Sequence, residues 1–424
     1  MASKPGPQRA WLFVEIQRFV KVRILTFNTW GVPFFSKDRA ARMRAIGRAL
    51  TGMDVDVVGL QEVFYARDRQ LIVRAAAEGG LVHHHYFHSG VAGSGLLTLS
   101  RYPIEETSYL RFQLNGRPQD LIRVDYYAGK GVGRARIATP AGPLDVYNAH
   151  FIAPYLEFGP DRFGPHRVAQ ALEAGRYMRA TSGETPAVLT CDLNCYPDDL
   201  TYRTLVASGG LVESCGAVDA ADGAIVDGAG SGGAVSDGAG SGGGRSGYAT
   251  IHPPERFDYI FARSGSQGAL DIAGSRFVLG GTPDPNPDGV LGYSDHYGIL
   301  TEFELAPMVE TAPAEAAEEP SLLAAIGDLL GLGIHANRRQ RRKATLMAAA
   351  ASVTSAALMR QRGARPAGSV TGVGAAALLA LLLVAGGVNL STAARLSTET
   401  NTLTTIFGQH LSPREASSPA GDSR

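Results

Sequence analysis

The chain has no surplus of charge of either sign, few cysteines, and no long apolar run near its amino terminus. Its 424 residues include 40 Lys and Arg against 40 Asp and Glu. A protein that binds a nucleic-acid backbone usually has more basic than acidic residues, so this balance argues against a nucleic-acid partner. The three cysteines are too few for a disulfide framework, and Cys191 and Cys195 lack the paired spacing of a zinc site.

The first 21 residues lack the unbroken apolar core of a secretory signal peptide, which runs for about 7–15 residues. Their apolar positions are interrupted by Glu15, Gln17 and Arg18. We interpret residues 1–21 as an amino-terminal extension, and we expect the protein to work in a reducing compartment.

Residues 22–306 show the mixed pattern of an α/β domain. Apolar positions spaced three and four apart predict helices over Asp38–Leu50, Arg67–Ala77 and His166–Ala180. Strands outnumber helices and several follow one another directly, which favours two packed sheets covered by helices over a doubly wound parallel sheet. The predicted strands are Val22–Asn28, Val55–Gln61, Gly95–Ser100, Leu121–Tyr127, Arg134–Thr139, Leu144–Ala149, Ala187–Cys191, Asp258–Ala262, Arg276–Leu279 and Gly298–Phe303.

Residues 216–247 interrupt this domain with a glycine-rich insertion. Twelve of the 32 positions are Gly, and the string DGAGSGG occurs at 227–233 and again at 237–243. Such a segment buries too little apolar surface to offset the entropy lost on ordering it. We interpret it as a flexible loop between two strands and not as a phosphate-binding loop.

The composition changes after residue 306. Residues 307–343 are predicted to form a linker that ends in the basic block NRRQRRK at 337–343. Two uncharged runs follow, Ala344–Met359 and Val370–Val388, and the second would be ~28 Å long as a helix, close to the ~30 Å of a bilayer core. Residues 344–390 therefore predict one or two transmembrane helices, followed by a carboxy-terminal tail over 391–424.

The two alternatives differ in where the tail lies. With one span, through Val370–Val388, the tail crosses to the far side of the membrane. With a hairpin of both runs the tail returns, and the loop RQRGAR between them has to cross. In either case the basic block predicts that the α/β domain faces the cytoplasm.

Polar side chains stand at the ends of six apolar segments. In VLTCDLN (188–194) the apolar run stops at Asp192, with Asn194 two residues later. Residues at i and i+2 of an extended chain point to the same side, and Asn148 and His150 in LDVYNAH share this relationship. The full set is Asn28, Glu62, Asn148, His150, Asp192, Asn194, Asp258, Asp295 and His296.

These residue types suit one kind of chemistry. Glu62 with Asn28 or Asp295 offers the oxygen ligands that Mg²⁺ prefers, together with water and a substrate phosphate. His150 and His296 can donate or accept a proton near neutral pH. The set therefore favours metal-assisted attack of water on a phosphate ester.

The motifs resemble those of a known family. The strings FNTWG, LQEV, GSGLLTLSRYPI, GKGVG, NAH, CDLN, DYIF and SDHYG resemble the endonuclease/exonuclease/phosphatase superfamily, which has the DNase I-like fold. WGVPFFSKDRAARM, HHHYFHSGVAGSGL, NGRPQD, DYYAGKGVG and HRVAQA resemble the membrane-anchored neutral sphingomyelinases more narrowly. The resemblance covers about residues 22–303 and implies an α/β fold with four layers, an αββα sandwich.

The resemblance also implies a role for each matching residue. Glu62 would be the principal ligand of Mg²⁺, or of Mn²⁺ as the alternative ion, with Asn28 as its helper. His296 would activate water, Asp258 would support it, and Asp295 would lie beside the metal. His150 would stabilise the phosphorane or assist the leaving group. Asp192 and Asn194 would orient the nucleophile and phosphate, Asn148 would lie on the substrate side, and Asp125 with Lys130 would couple lipid activation to the site.

The sequence departs from the family at two places, neither of which removes a ligand. Cys191 stands where most members have Gly, and the glycine-rich insertion is absent from the family in this form.

We expect a Mg²⁺-dependent phospholipase C-type hydrolase that cleaves sphingomyelin, or a related phosphosphingolipid or lysophospholipid, to ceramide and phosphocholine. The expected partners are a membrane lipid substrate and an anionic phospholipid activator, with no nucleic acid. The apolar string WGVPFF at 30–35 is placed to dip into the membrane or to pack internally. A DNase I-like nuclease, an inositol-phosphate phosphatase and an inactive membrane scaffold are the alternatives.

Overall fold

The computed structural model describes residues 19–33, 35–91, 93–117, 125–154, 161–197, 199–215, 257–307, 320–362 and 370–411. Residues 1–18, the glycine-rich insertion and the tail beyond residue 411 lie outside these ranges, whereas Val20 and Lys21 of the predicted extension belong to the first strand. The strands within them are β1 Val20–Asn28, β2 Val57–Gln61, β3 His83–Tyr86, β4 Leu97–Ser100, β5 Ile104–Arg111, β6 Gly131–Thr139, β7 Gly142–His150, β8 Ala187–Asp192, β9 Val212–Glu213, β10 Asp258–Arg263, β11 Gly268–Val278 and β12 Gly298–Pro307. The helices are α1 Arg39–Gly52, α2 Ala66–Glu78, α3 Asp125–Ala128, α4 Gly164–Ser182, α5 Leu200–Gly209, α6 Pro320–Arg362 and α7 Val370–Leu411.

The strands form two six-stranded sheets. The first has the order β11-β12-β1-β2-β4-β3, and the second has the order β5-β6-β7-β8-β10-β9. Each sheet has one central parallel pair, β1 with β2 and β7 with β8, among antiparallel neighbours. The carboxyl ends of these four strands therefore meet at one edge of the domain.

The two sheets pack face to face, with helices on both outer faces. Alternate residues of a strand point to opposite faces, so Ile24 joins the core between the sheets while Leu25 packs under α1 and α2. The sheets approach closely at Gly59, where an added Cβ would lie 2.0 Å from the Oγ1 atom of Thr190. The helices α4 and α5 cover the second sheet. The predicted four-layer αββα sandwich is confirmed.

The predicted helices of the domain match α1, α2 and α4 to within two residues at each end. One predicted strand is wrong in its described part: Asp125–Ala128 forms a helical turn, and residues 118–124 lie outside the described chain. The pattern also missed β3, β5, β9 and α5. The strand β5 was missed because its residues alternate weakly and are mostly half-buried or exposed at the sheet edge.

The last two helices, α6 and α7, pair as an antiparallel hairpin. Asn337 of α6 donates to Glu399 of α7, and Arg341 donates to Ser397, so residues 337–341 of α6 lie alongside residues 397–399 of α7. Farther along, an added Cβ on Gly386 would lie 3.4 Å from Ala351. The basic block at 337–343 therefore belongs to a continuous helix rather than to the end of a linker.

The hairpin is attached to the domain by its proximal half, and its distal half extends away. The attachment is an apolar cluster of Leu322, Ile326 and Leu330 in α6, Leu403 and Ile406 in α7, and Leu114, Val168, Ala169 and Leu172 in the domain. The distal half instead exposes apolar side chains on both helices, including Leu346, Val353, Leu381, Val384 and Val388.

Within the described residues, one segment is long and apolar enough to cross a membrane: Ala380–Ile406, with mean hydropathy 1.3. It begins ten residues later than the predicted span Val370–Val388 and includes residues that pack against the domain. The run Ala344–Met359 lies within α6, which does not meet the same threshold.

The distal half of the hairpin projects at the same edge where β1, β2, β7 and β8 end. The helix α4 follows β7 and begins at that edge. Gly333 of α6 lies against Pro165 in the first turn of α4, with an added Cβ at 2.9 Å. Since α6 continues without a break from this contact to Arg362, its residues from Ile334 onward lie beyond the start of α4.

Candidate active site

The second sheet places three of the predicted site residues in one row. Strand register pairs His150 at the end of β7 with Asp192 at the end of β8, and pairs Asp192 with Asp258 at the start of β10. The Nε2 atom of His150 lies 3.3 Å from the Oδ2 atom of Asp192. All three side chains are buried. The apolar run before Asp192 thus ends where its carboxylate joins this row.

The first sheet contributes Asn28 from the end of β1 and Glu62 from the residue after β2. Asn28 Nδ2 donates to Asp192 Oδ2 over 2.8 Å and so connects the two sheets at their shared edge. The Oε1 atom of Glu62 lies 3.9 Å from His150 Nε2. The site therefore lies where the two sheet edges meet.

Glu62 occupies an unusual backbone conformation, with φ of 62°. Non-glycine residues are uncommon there, and such strain is concentrated at functional sites. Two glycines make room for it. An added Cβ on Gly31 would lie 2.1 Å from the Glu62 carbonyl oxygen, and one on Gly95 would lie 3.1 Å from its Cα. Glycine at both positions therefore leaves room for the backbone conformation that directs the Glu62 carboxylate.

His296 and Asp258 form a buried pair, with 2.6 Å between Nδ1 and Oδ2. The Nε2 atom of His296 lies 3.8 Å from Asp295 Oδ1. Burial alone would lower the pKa of His296, but the carboxylates of Asp258 and Asp295 outweigh it and raise the pKa well above its usual value. Ser294 donates to the Asn28 carbonyl and ties this loop to β1.

Lys130 and Asp125 reach the site from the segment before β6. The Nζ atom of Lys130 lies 2.7 Å from Asp125 Oδ1 and 2.9 Å from His150 Nε2, and it donates to the Phe151 carbonyl. Burial and the Lys130 charge both lower the pKa of His150. Both effects favour the neutral form of His150 near pH 7.

Asn194 lies beside the row in a left-handed conformation, with φ of 51°. Its backbone N–H donates to Asp192 Oδ1, and its side chain donates to the Phe151 carbonyl over 2.9 Å. Asn194 therefore holds the Asp192 carboxylate and the end of β7 together.

Asn148 does not line the site. It shares a face with His150, as the alternation predicts, but that face is turned into the sandwich core. Its Nδ2 atom donates to the carbonyls of Leu60 and Leu97, and its Oδ1 atom accepts from Gln61. The substrate-side prediction for Asn148 is corrected to a role in bridging the two sheets.

The sequence analysis missed Arg42, which is fully buried in α1. Its guanidinium donates to the carbonyls of Thr29, Trp30 and Tyr293, and to that of Lys37. These carbonyls belong to the loops that follow Asn28 and precede Asp295. An arginine on the apolar face of a predicted helix, beside Met43, was the signal that could have identified it.

Oxygen atoms in the site are suited to a divalent cation. The Oε2 atom of Glu62 and the Oδ1 atom of Asp258 are buried without a hydrogen-bond partner. Burial, with the negative charge of Asp295 as a second cause, raises the pKa of Glu62 to about 7. A carboxylate held in this way fits a nearby cation, since buried charges are paired or coordinate metals.

Among the described residues, one group of metal-ligating side chains lies close enough to share an ion: Asp192, Asp258 and His296, whose ligand atoms lie within 4.8 Å of one another. His296 is bound to Asp258, whereas Glu62 and Asp258 each have an oxygen without a partner. The carboxylate oxygens are therefore better candidate ligands than the His296 imidazole.

Comparison with known proteins gives consistent matches. The profile of the Endonuclease/Exonuclease/phosphatase family matches residues 25–296. The chain is 32% identical to a putative neutral sphingomyelinase of Drosophila melanogaster over 293 residues, which are 68% of this chain and 61% of that protein. It is 37% identical to an inositol phosphosphingolipids phospholipase C of Schizosaccharomyces pombe over 47% of each chain. It is 30% identical to a putative neutral sphingomyelinase of Caenorhabditis elegans over 73% of this chain and 74% of that protein.

These matches differ in how much of each relative they cover. The chain spans less than two thirds of the Drosophila and Schizosaccharomyces proteins, and about three quarters of the Caenorhabditis protein. The family match contains both sheet edges and every residue of the site described above.

Proposed function

The chain belongs to the endonuclease/exonuclease/phosphatase family, and from that premise we propose that it hydrolyses sphingomyelin or a related phosphosphingolipid in the manner of a phospholipase C. The products would be ceramide and phosphocholine, or the corresponding phosphorylated headgroup. The observation that carries the proposal is the row of His150, Asp192 and Asp258 facing Glu62 across the two sheet edges. The names of the related proteins support a sphingolipid substrate.

His296 would take a proton from water, a role that requires its deprotonated form although the neighbouring carboxylates raise its pKa. Asp258 holds its Nδ1 atom, so the Nε2 atom is directed to the reacting side, in the arrangement of an oriented general base. Asp192 would orient the attacking water, with Asn28 and Asn194 holding the two oxygens of its carboxylate in place. Because these contacts are already formed, the site does not have to reorganise when the substrate binds.

His150 and Lys130 lie on the other side of Asp192. The proximity of Lys130 Nζ places positive charge where a phosphorane and a leaving alkoxide would develop negative charge. His150 would hold a phosphate oxygen or pass a proton toward the departing oxygen. We propose that Asp125 sets the position of Lys130 for this purpose.

Glu62 would be the principal ligand of Mg²⁺, or of Mn²⁺ as the alternative, with Asn28 and Asp295 nearby. When bound, the ion would polarise the phosphate and stabilise charge on its oxygens. The fit rests on the unpartnered Glu62 oxygen and on the all-oxygen donor set, which suits a hard cation.

The hairpin supports a membrane substrate. Its exposed apolar half projects at the edge that carries the site, so a bilayer around that half would face the site directly. We propose that α6 and α7 enter the membrane as a pair, with the domain on the cytoplasmic side, because the basic block 337–343 stands before the apolar part. Only the headgroup of the lipid would then have to leave the bilayer to react.

An anionic phospholipid is the proposed activator. A cavity of about 650 Å³ lies between the segment 111–117 and α7, and Arg111, Tyr126 and Arg395 contribute to its lining. Arg117 and its partner Glu399 also line the cavity, and the other two arginines, Arg111 and Arg395, suit a phosphate or carboxylate headgroup.

The test is hydrolysis by the full chain in detergent micelles that contain a labelled substrate and Mg²⁺. A panel of sphingomyelin, inositol phosphosphingolipid and lysophosphatidylcholine would identify the headgroup. We expect release of a phosphorylated headgroup from at least one of them, and we expect Glu62→Gln to abolish it. Glu106→Gln, which changes an exposed carboxylate on β5, is the matched control. An active Glu62→Gln protein, or an inactive native protein, would overturn the proposal.

A further inference from the structure

A buried polar cluster joins the α/β domain to the hairpin. Arg117 donates from Nε and Nη2 to the two carboxylate oxygens of Glu399, each over 3.0 Å. The same Nη2 atom donates to Asn337 Oδ1, and Asn337 Nδ2 donates to Glu399 Oε1 over 2.7 Å. His166 Nε2 lies 3.4 Å from that oxygen. We call Arg117, His166, Asn337 and Glu399 the junction.

The junction has one member from each element that meets there. Arg117 comes from the segment after β5, His166 from the first turn of α4, Asn337 from α6 and Glu399 from α7. The side chains of Arg117 and Glu399 are 12% and 10% exposed, so the pair lies largely outside solvent. The guanidinium of Arg117 also lies 5.8 Å from the ring of Phe163, just before α4.

Stability alone does not explain such a cluster. The apolar contacts of Leu322, Ile326 and Leu330 already attach the hairpin to α4. Removing two charges from water costs free energy that an apolar pair would not, so a buried ion pair is weak support for stability. A buried polar or ionic contact is better known for selecting one helix register among the several that apolar packing alone would allow.

The geometry of the junction is sensitive to register. One residue of slippage turns an α-helix by about 100° and shifts it by about 1.5 Å, which would break a bidentate contact. Glu399 must face both Arg117 and Asn337, so rotation of α7 and sliding of α6 are restricted together. The angle between the domain and the hairpin is fixed as a result.

We propose that Arg117, Asn337 and Glu399 are positioning residues that hold the active-site edge against the bilayer entered by the hairpin. The inference rests on the proposed function, because it takes the substrate to be a lipid in that bilayer. With the junction closed, the site faces the membrane surface at a set angle. With the junction opened, the domain is still tethered, but its site no longer meets the headgroups in one orientation.

The test compares one lipid in two physical forms. Arg117→Glu, Glu399→Arg and the double swap are assayed on sphingomyelin in vesicles and in small detergent micelles, with Arg341→Ala as the control that breaks an exposed α6–α7 contact. Each single reversal should raise KM on vesicles about 10-fold, since tethering helps only where the geometry permits engagement. Activity on micelles should stay within about 2-fold of the native value, and the double swap should restore much of the vesicle KM.

A second readout does not depend on activity. Spin labels at Val91→Cys in the domain and Met359→Cys near the hairpin tip, both at exposed positions, report the distance between the two parts. The three native cysteines are buried. We expect one narrow distribution of label-to-label distances in the protein with the native junction and a broad one after either single charge reversal.

The outcomes separate the two proposals. Equal loss on vesicles and micelles, unchanged vesicle KM, or a distance distribution that stays narrow after the reversals would overturn the positioning role. A native protein that cleaves neither form would overturn the proposed function instead, while the spin-label distances would still show whether the junction fixes the angle.

Discussion

The Nδ1 atom of His296 lies 2.6 Å from the Oδ2 atom of Asp258, although the two residues are 38 positions apart. Asp258 is the first residue of β10, and its backbone pairs with that of Asp192. The contact therefore joins the loop before β12 to the row of residues in the second sheet. The contact orients the His296 imidazole through Nδ1 and does not involve Nε2.

Replacing Asp258 with Asn should reduce kcat by about 10²–10⁴-fold, the range expected when general-base catalysis is lost. KM should change little, because Asp258 does not contact the substrate. Asp258 raises the pKa of His296, so its loss should also move the acid limb of the pH–kcat profile to lower pH. Steady-state kinetics across pH would measure both effects. A pure KM effect with an unmoved acid limb would show that Asp258 does not act through His296.

Adding Mg²⁺ to chelator-treated protein should raise the thermal unfolding midpoint. At a concentration 100 times the Kd, binding to the native state alone adds about 2.7 kcal/mol, which corresponds to several degrees for a domain of this size. Glu62→Gln should remove most of this shift, because the unpartnered oxygen of Glu62 is the proposed ligand. Scanning fluorimetry with Mg²⁺, Mn²⁺ and Ca²⁺ would measure it. The same shift in Glu62→Gln and native protein would place the ion elsewhere.

Replacing Arg42 with Leu should destabilise the domain by more than about 3 kcal/mol, because each buried carbonyl left unpaired costs roughly 1–3 kcal/mol. Activity should fall as well, since the carbonyls belong to the loops beside Asn28 and Asp295. The matched control is Arg44→Leu, two residues along α1, which removes a partly exposed pair with Asp288 worth about 0–1 kcal/mol. Denaturant unfolding would compare the two variants. Similar losses at both positions would refute the assigned role of Arg42.

Replacing Glu173 with Gln should stabilise the protein at alkaline pH and have no such effect in acid. Burial raises the pKa of Glu173 from 4.5 to about 7, and its Oε2 atom accepts from the Gln113 backbone. Because the folded-state pKa is the higher one, native stability falls as pH rises from about 4.5 through 7, by on the order of 3 kcal/mol. Gln keeps an acceptor without the charge. The stability difference between variant and native protein should therefore grow from pH 4.5 to 8, and a difference independent of pH would contradict the assignment.

The sequence predicted two packed sheets because strands outnumber helices and several follow one another directly, and it predicted the central strands because they are apolar. The run before Asp192 is apolar at nearly every position, and all six residues of β8 are buried. Edge strands carry no such signal: β3 is the string HHHY, and its residues are mostly half-buried. The predicted strand was also wrong at Asp125, which starts a helical turn and pairs with Lys130 five residues later.

The structure brings together Glu62, His150, Asp192 and His296, which residue type and strand position predicted to share one site. Residue type and strand position did not distinguish the role of His150 from that of Asn148, because both lie on the same face of one strand. Only the contacts with the opposing sheet show that Asn148 points into the core between the sheets. The junction could not be predicted from the sequence for a similar reason. Arg117 and Glu399 are 282 positions apart, and nothing in their local sequence indicates that they meet.

The uninterrupted course of α6 has a consequence for lipid asymmetry. From the contact of Gly333 with Pro165 to Arg362 the helix contains no proline and no break, so with the hairpin in a bilayer, as proposed, the α/β domain would stay on one surface. An enzyme built in this way would consume headgroups from one leaflet alone and would leave its two-chain lipid product in that same leaflet. The side on which the domain is inserted during biosynthesis would then decide which lipid pool is depleted.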